Sequence, residues 1–261
     1  MVEITFAQLH GWLVAFLWPF CRITGLMLAS PIWGHSSVPR QIKIALAMAL
    51  TVVMAPVLPP MPQVPLFSWA GLGIVAEQLL IGAAMGLVMR VTLVTVQATG
   101  EFIGLQMGLA FATFFDPSSG TNMMVLSRFL YMITLLMFLA FDGHLMVLEL
   151  LASSFEALPI GLGRYDPGAF EMLARYGGTI FSSGILLALP LVAALLIINL
   201  ALGILNRSAP QLTVFNIGFP ASLTVGVILM MVLMTDLDRF LERLFDQGLD
   251  FLQAFLAALA G

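Results

Sequence analysis

The sequence predicts an all-α integral membrane protein built from many helices, and three observations carry that prediction. Hydrophobic residues make up 61% of the chain and charged residues 9%, a balance outside that of a soluble core. Apolar runs long enough to cross a bilayer, about 20 residues each, recur along the chain. The last 25 or so residues repeat leucine and phenylalanine at helical spacing. Ten basic residues scattered over 261, only Lys43 being a lysine, form no nucleic-acid surface, so the net charge of -4 carries little. Cys21 stands alone inside an apolar run, which excludes an intramolecular disulfide and reads as a small buried apolar residue.

The chain opens Met1-Val2-Glu3-Ile4, acidic where a cleavable signal needs basic residues, so residues 10–33 read as a retained membrane helix. Arg22 lies halfway along it. A charge at that depth faces protein or water, which gives Arg22 a partner within or beyond this chain; otherwise it is an interfacial arginine in a shifted span. His35 to Lys43 is a short basic turn, and Ile42 to Leu58 is a second, somewhat short span. Pro59 to Pro65 forms a stiff, uncharged connector of polyproline character.

Ser68 to Arg90 is a third span, carrying Glu77, Gln78 and a close-packing pair, Gly82 and Gly86. Val91 to Phe115 stays apolar but is interrupted by Gln97, Thr99, Glu101 and Gln106, too polar for a lipid-facing helix. It is either buried among other helices or re-entrant. Within it Gly100, Gly104, Gly108 and Ala112 recur every four residues, a strip on which another helix can pack closely. Each interior glycine costs about 1 kcal/mol relative to alanine, so the strip implies a compensating contact. Phe114-Phe115-Asp116-Pro117-Ser118-Ser119-Gly120 then stops the helix in a turn.

Met123 to Phe155 is broken by Asp142-Gly143-His144, which predicts a bend or end near Gly143 and a shorter helix after it. Ala157 to Gly178, with Arg164, Asp166, Glu171 and Arg175, belongs outside the hydrocarbon. Thr179 to Leu205 is an uncharged span that Pro190 kinks. Asn206 to Gln211 is a turn, and Leu212 to Thr235 the last span, so residues 11–235 form kinked helical hairpins. From 236 to 260 an apolar face including Leu237, Leu241, Leu244, Leu252 and Leu259 opposes Asp238, Arg239, Glu242, Arg243, Asp246 and Asp250. This amphipathic helix has mixed charge and little lysine, which favours docking on protein over adsorption to anionic lipid. The positive-inside rule places the N-terminus outside and the turn at Arg207 in the cytoplasm, provided that 91–115 does not cross.

No phosphate-binding glycine motif occurs, and His10, His35 and His144 show no metal-ligand spacing, so no cofactor is expected. Ser118 or Ser119 with His144 reads as an intramembrane protease dyad or, more simply, as turn chemistry. Asp142 and His144 form a proton relay or a polar helix break. Glu77, Arg90 and Glu101 pair inside a bundle or lie at an interface. Asn199 and Asn206, with Gly203 between them, make a stripe that glues helices together.

Together these segments resemble the flagellar branch of the type III secretion export-gate family, over essentially the whole chain. The resemblance rests on Gly100-Glu101-Phe102-Ile103-Gly104-Leu105-Gln106-Met107-Gly108, on Asp116-Pro117 with Asn122, and on Val125-Leu126-Ser127. Further matches are Gly143-His144, Ser154-Phe155, Leu158-Pro159, Ala209-Pro210-Gln211-Leu212, Phe215-Asn216 and Gly218-Phe219-Pro220. Injectisome relatives tend to carry arginine in the Gln-Met-Gly position, so Met107 favours the flagellar branch over a virulence export subunit. The resemblance implies a single-domain, non-enzymatic subunit of the bacterial inner membrane at the flagellar basal body, partly above the bilayer plane. It implies one copy among several FliP and FliQ subunits, contacted by FlhB and FlhA, with unfolded flagellar substrates passing through. The first part is expected to be FliP-like and the last two long helices FliQ-like.

The family's plug loop maps onto residues 111–124. There Phe111, Phe114, Phe115, Met123 and Met124 supply apolar bulk, Pro117 and Gly120 a hinge, and Asp116 and Asn122 the motif. In the competing reading these aromatics are packed core. A stand-alone secondary transporter would show matching halves, and no convincing internal repeat is present.

Overall fold

The computed structural model describes residues 6–59, 61–62, 64–110, 124–161, 163, 165–208 and 217–261, and among them every regular element is a helix. Helix α1, Phe6–Ala29, carries Pro19 within it and ends four residues before Trp33, where Ser30 and Gly34 close successive turns. Helix α2, Arg40–Met54, continues as one 3-10 turn, Ala55–Val57. Helix α3, Trp69–Gln106, runs 38 residues without a break. The polar stretch after Arg90 therefore continues the same helix and does not turn back. No proline interrupts it, and its most apolar window is 67% buried, so Thr92, Thr95 and Thr99 are covered by protein.

Helices α4, Val125–Ala140, and α5, Gly143–Ala157, flank the predicted break. Helix α6, Pro167–Tyr176, is capped by Asp166, whose side chain accepts from Gly168 N at 2.9 Å, with Pro167 in the first position that suits it. Helix α7, Thr179–Ser208, contains Pro190 and runs three residues past Leu205. Helix α8 is Phe219–Thr235, with Pro220 in its first turn; the predicted start at Leu212 lies outside the described residues. Helix α9 is Leu237–Ala260. Among the described residues four helical segments are long and apolar enough to cross a membrane, or up to six if the interrupted pairs α4 with α5 and α8 with α9 each count as one span.

Residue contacts gather in two interleaved units. The first comprises Met1–Val91, Asp142–Gly177 and Asp246–Gly261. Its core holds Trp18, Ile23, Ile74, Met85, Phe155 and Phe255. Here α1 packs on α2 and, at backbone distance, on α3. A Cβ at Gly86 would lie 2.6 Å from Leu26 O and 2.8 Å from Ser30 N, while one at Gly82 would meet the backbone of Arg22. Gly25 faces the backbone of Leu79 and Ala83 in return. Because residue numbers rise together along the contact, the two helices run parallel, and neither predicted glycine of α3 leaves room for a side chain. The C-terminal half of α9 docks here: Tyr176 stacks on Phe251 at 3.9 Å, and Phe170 meets Phe255 edge-on.

The second unit comprises Thr92–Phe141 and Gly178–Phe245. Helix α7 packs on α8, Phe138 meets Phe245 edge-on at 5.2 Å, and Thr99 Oγ1 donates to Gly184 O at 3.1 Å. Along α9 the leucines of the predicted apolar face are buried, while Asp238, Arg239, Glu242, Arg243, Asp246 and Asp250 are exposed. Protein covers the apolar face, at about 1.5–3 kcal/mol for each large side chain buried.

At the break between α4 and α5 the left-handed residue is Asp142, φ 55°, and the neighbouring Gly143 is the first residue of α5. Aspartate tolerates this conformation better than most residues but still carries strain that glycine does not. Asp142→Gly should therefore match or exceed the parent in thermal unfolding in detergent, and Asp142→Val should cost about 1–2 kcal/mol. Full retention of stability in Asp142→Val would show that the turn does not depend on this residue.

Candidate functional site

Two constellations stand out, one in each unit. The first surrounds Arg22, which the structure places fully buried on α1. Its Nε donates to Gln78 Oε1 on α3 at 2.8 Å, and one terminal nitrogen donates to Ser154 O at 2.7 Å and Ser154 Oγ at 3.0 Å. The other terminal nitrogen donates to Leu158 O at 2.8 Å, and the Phe155 ring lies 4.2 Å beneath the guanidinium. No acceptor is charged. Ser154 and Leu158 sit at the C-terminal end of α5, where the helix dipole is negative; Ser154 O also accepts from Leu158 N at 2.9 Å, so the cation adds a second donor there and caps the carbonyl of Leu158. The ring face adds a cation–π contact.

Around this cap lie further polar groups. Tyr165 OH donates to Glu77 at a long 3.5 Å. Burial, and next the Glu77 carboxylate, push the Tyr165 phenol above its usual range, so it stays a proton donor at neutral pH. Glu77 is half-buried and makes no ion pair with Arg22. An ion pair found among the described residues is the exposed Arg175–Glu171 contact at 2.7 Å, of little energetic weight. Gln78 Nε2 and Trp18 Nε1 are buried donors without partners. Among the described residues no three His, Cys, Asp or Glu side chains converge as metal ligands.

The second constellation lies where α3 ends. Gly108 N bonds to Leu105 O at 3.1 Å and Leu109 N to Gly104 O at 3.0 Å, while Gly108 takes φ 79°. This is a Schellman motif with glycine at the left-handed position. Gly108 therefore leaves the predicted packing strip: it terminates the helix, and its positive φ is the physical reason. Gly100 and Gly104 remain on the helix and are both covered. A Cβ on Gly100 would lie 2.5 Å from Ser127 Cα, and one on Gly104 would lie 2.7 Å from Met124 Sδ and 3.8 Å from Leu109 Cδ1. Leu109 and Met124 thus converge over one glycine, and the chain leaves and rejoins α3 at the same place.

Helices α7 and α8 hold that place. Asn199 Nδ2 donates to Gln106 O at 3.2 Å, and its Oδ1 accepts from Ser222 Oγ at 2.7 Å. Met107 is buried with its side chain in a notch at Gly226, where a Cβ would come within 2.6 Å of it. Sequence reasoning marked Asn199 as helix glue but did not reach Ser222 or Gly226, neither of which carries a local signal.

Phe111, Phe114, Phe115, Asp116, Pro117, Gly120, Asn122 and Met123 lie outside the described residues, so of the predicted loop only Met124 has a described place. Glu101 is half-buried on α3 without a hydrogen bond among the described residues. Asp142 is exposed, and His144 Nδ1 is buried without a partner. The structure records no hydrogen bond between those two side chains.

Comparison with known proteins bears on the whole chain. The sequence profile of the bacterial export proteins, family 1, matches residues 13–248. A protein of Escherichia coli strain K12 named flagellar biosynthetic protein FliR is 46% identical over 259 residues, 99% of each chain. Its namesake from Pectobacterium carotovorum is 46% identical over 250 residues, 96% of this chain and 95% of that one. The Bacillus subtilis protein of the same name is 28% identical over 246 residues, 93% of this chain and 95% of that one.

The Arg22 cap predicts a distinctive mutational pattern. Gln78→Leu strips the acceptor from a buried cation and should cost about 1–3 kcal/mol. Arg22→Met with Gln78→Leu removes donor and acceptor together and should cost less than the two single changes summed. Unfolding free energies in detergent would show this coupling; strict additivity would mean that the two side chains do not act together.

Proposed function

This chain belongs to the bacterial export proteins, family 1, and from that membership we propose that it is a non-enzymatic subunit of a flagellar protein export gate. The near full-length likeness to proteins named for flagellar biosynthesis supports the flagellar assignment. So does Met107: an arginine in the apolar notch at Gly226 would need an acceptor, whereas a thioether fills the notch with neutral contacts.

The observation that carries the gate reading is the convergence of Leu109 and Met124 over Gly104. A loop whose two ends are held at one point, with α3, α4, α7 and α8 as its frame, is suited to project into a channel and withdraw from it. In this reading residues 111–124 form the plug. Phe111, Phe114, Phe115, Met123 and Met124 exclude ions, Pro117 and Gly120 let the loop yield, and methionine adapts to irregular passing side chains. FliP and FliQ are the companion subunits, FlhB and FlhA contact the assembly, and unfolded flagellar proteins are the cargo. The assembly sits in the inner membrane at the flagellar basal body. Exposed apolar side chains such as Ile197, Leu200, Met231 and Val232 on α7 and α8 supply surface for companions or lipid to cover.

Deleting Ser118 to Thr121 should raise ion leak through an assembled complex while leaving its assembly intact; unchanged conductance would remove the plug assignment. Ser118→Ala and Ser119→Ala should each retain full motility if the serines are turn residues, as the sequence reads them. Loss of motility with normal complex formation would favour an enzyme. Co-purification with FliP and FliQ tests the subunit reading, and a monodisperse chain active by itself in liposomes would overturn it.

A further inference from the structure

We propose that Asn199 is the positioning residue that fixes where α3 ends, and that with the Met107–Gly226 contact it forms a latch through which the end of α3 is released while the start of α4 stays fixed. All of its parts lie in the second unit. The latch itself stands on those contacts; its consequence for ion leak rests on the export-gate reading.

Asn199 is half-buried in the long uncharged stretch of α7, and its carboxamide takes one orientation. Gln106 O is a backbone carbonyl and cannot donate, so the group facing it at 3.2 Å is Nδ2. Oδ1 is then turned to Ser222 Oγ, which is buried and donates at 2.7 Å. The end of α3 is thereby tied to α8 through Asn199. Met107, the next residue, ties it a second time. A Cβ on Gly226 would lie 2.6 Å from Met107 Cγ, 2.8 Å from Sδ and 2.7 Å from Cε, so the side chain lies flat across the glycine. Ser222 and Gly226 are four residues apart, about 6 Å along the axis, and with Met230 they form the buried side of α8. The hydrogen bond sets the direction of the end of α3, and the thioether sets its depth.

The places where the chain leaves and rejoins α3 differ in kind. At Gly100 the start of α4 is seated backbone on backbone: a Cβ there would lie 2.5 Å from Ser127 Cα and 2.8 Å from Ser127 N. No side-chain rotation undoes such a contact. The end of α3 is held instead by a neutral hydrogen bond and by methionine, whose unbranched side chain has three rotatable bonds. Gly108, at φ 79°, already carries the backbone out of the helix there. Rotation of Met107 out of its notch and loss of the Asn199 bond free the last turn of α3 without disturbing the seat of α4.

The test uses the full chain in detergent, with a nitroxide on Leu105→Cys in the last turn of α3 or on Val125→Cys in the first turn of α4, each in a Cys21→Ala background. Both positions are exposed. Asn199→Leu, which keeps the size and removes donor and acceptor, should increase the mobile component of the spectrum at 105 several-fold and leave that at 125 unchanged. Gly226→Ala should do the same by expelling Met107. Adding Met107→Ala should then restore the parent spectrum, because the clashing atoms are gone while the Asn199 bond remains. A spectrum at 105 unmoved by Asn199→Leu overturns the latch, and so does equal loosening at 105 and 125, the mark of general destabilisation. Should Asn199→Leu not yield folded protein, Ser222→Ala deletes one hydroxyl and must move the 105 spectrum in the same direction; no shift overturns the latch. In the co-purified complex Asn199→Leu should also raise ion leak several-fold. A mobile 105 with unchanged conductance would support the latch and count against the plug, so the two readings fail separately.

Discussion

The first unit depends on how it accommodates one guanidinium. Arg22 has no carboxylate partner, and a bare arginine at the centre of a membrane helix costs at least about 2.5–3.5 kcal/mol. What makes it tolerable is the end of another helix, whose carbonyls carry partial negative charge and accept from the guanidinium. The acceptors come from positions 56, 132 and 136 residues away in sequence, so the contact closes long loops as well as satisfying a charge. The arginine reaches them because Gly25, Gly82 and Gly86 let α1 and α3 approach at backbone distance. Each glycine weakens its own helix by about 1 kcal/mol, and the close contact offsets that loss.

The second unit applies a related economy at the end of α3. Gly108 stops the helix, Asn199 takes up the free carbonyl of Gln106, and Met107 fills the notch at Gly226. Hydrogen bonds between helices in apolar surroundings contribute only about 0.6–2 kcal/mol each. Their value here is directional. Three helices agree on where α3 finishes, and α4 begins again on the same glycines.

Much of the fold was legible because apolar runs and helical spacing report directly on helices. The break at residue 142, the connector at 59–65 and the amphipathic tail could all be read that way. Arg22 was legible as a charge in need of a partner, but backbone carbonyls leave no mark on a sequence, so the cap could not be named. Ser154-Phe155 and Leu158-Pro159 stood out as motif positions without a reason, and in the structure they are the shelf on which Arg22 rests. Gly108 misled because a glycine at four-residue spacing looks the same whether it packs a helix or ends one; only its dihedral angle distinguishes the two. The continuity of α3 was hidden for a similar reason. Buried Thr92, Thr95 and Thr99 and half-buried Gln97 and Gln106 lower hydropathy as a loop would, and only the cover of neighbouring helices shows that the threonines are core.

The 38 residues of α3 would reach about 57 Å along the helix axis at 1.5 Å per residue. Tilted by 40°, the steep limit for membrane helices, such a helix still rises about 44 Å, against roughly 30 Å of hydrocarbon. The hydrocarbon layer alone does not accommodate it. In a bilayer about 14 Å of this almost uncharged helix would lie beyond the acyl chains, where headgroups or other protein surfaces would have to cover it.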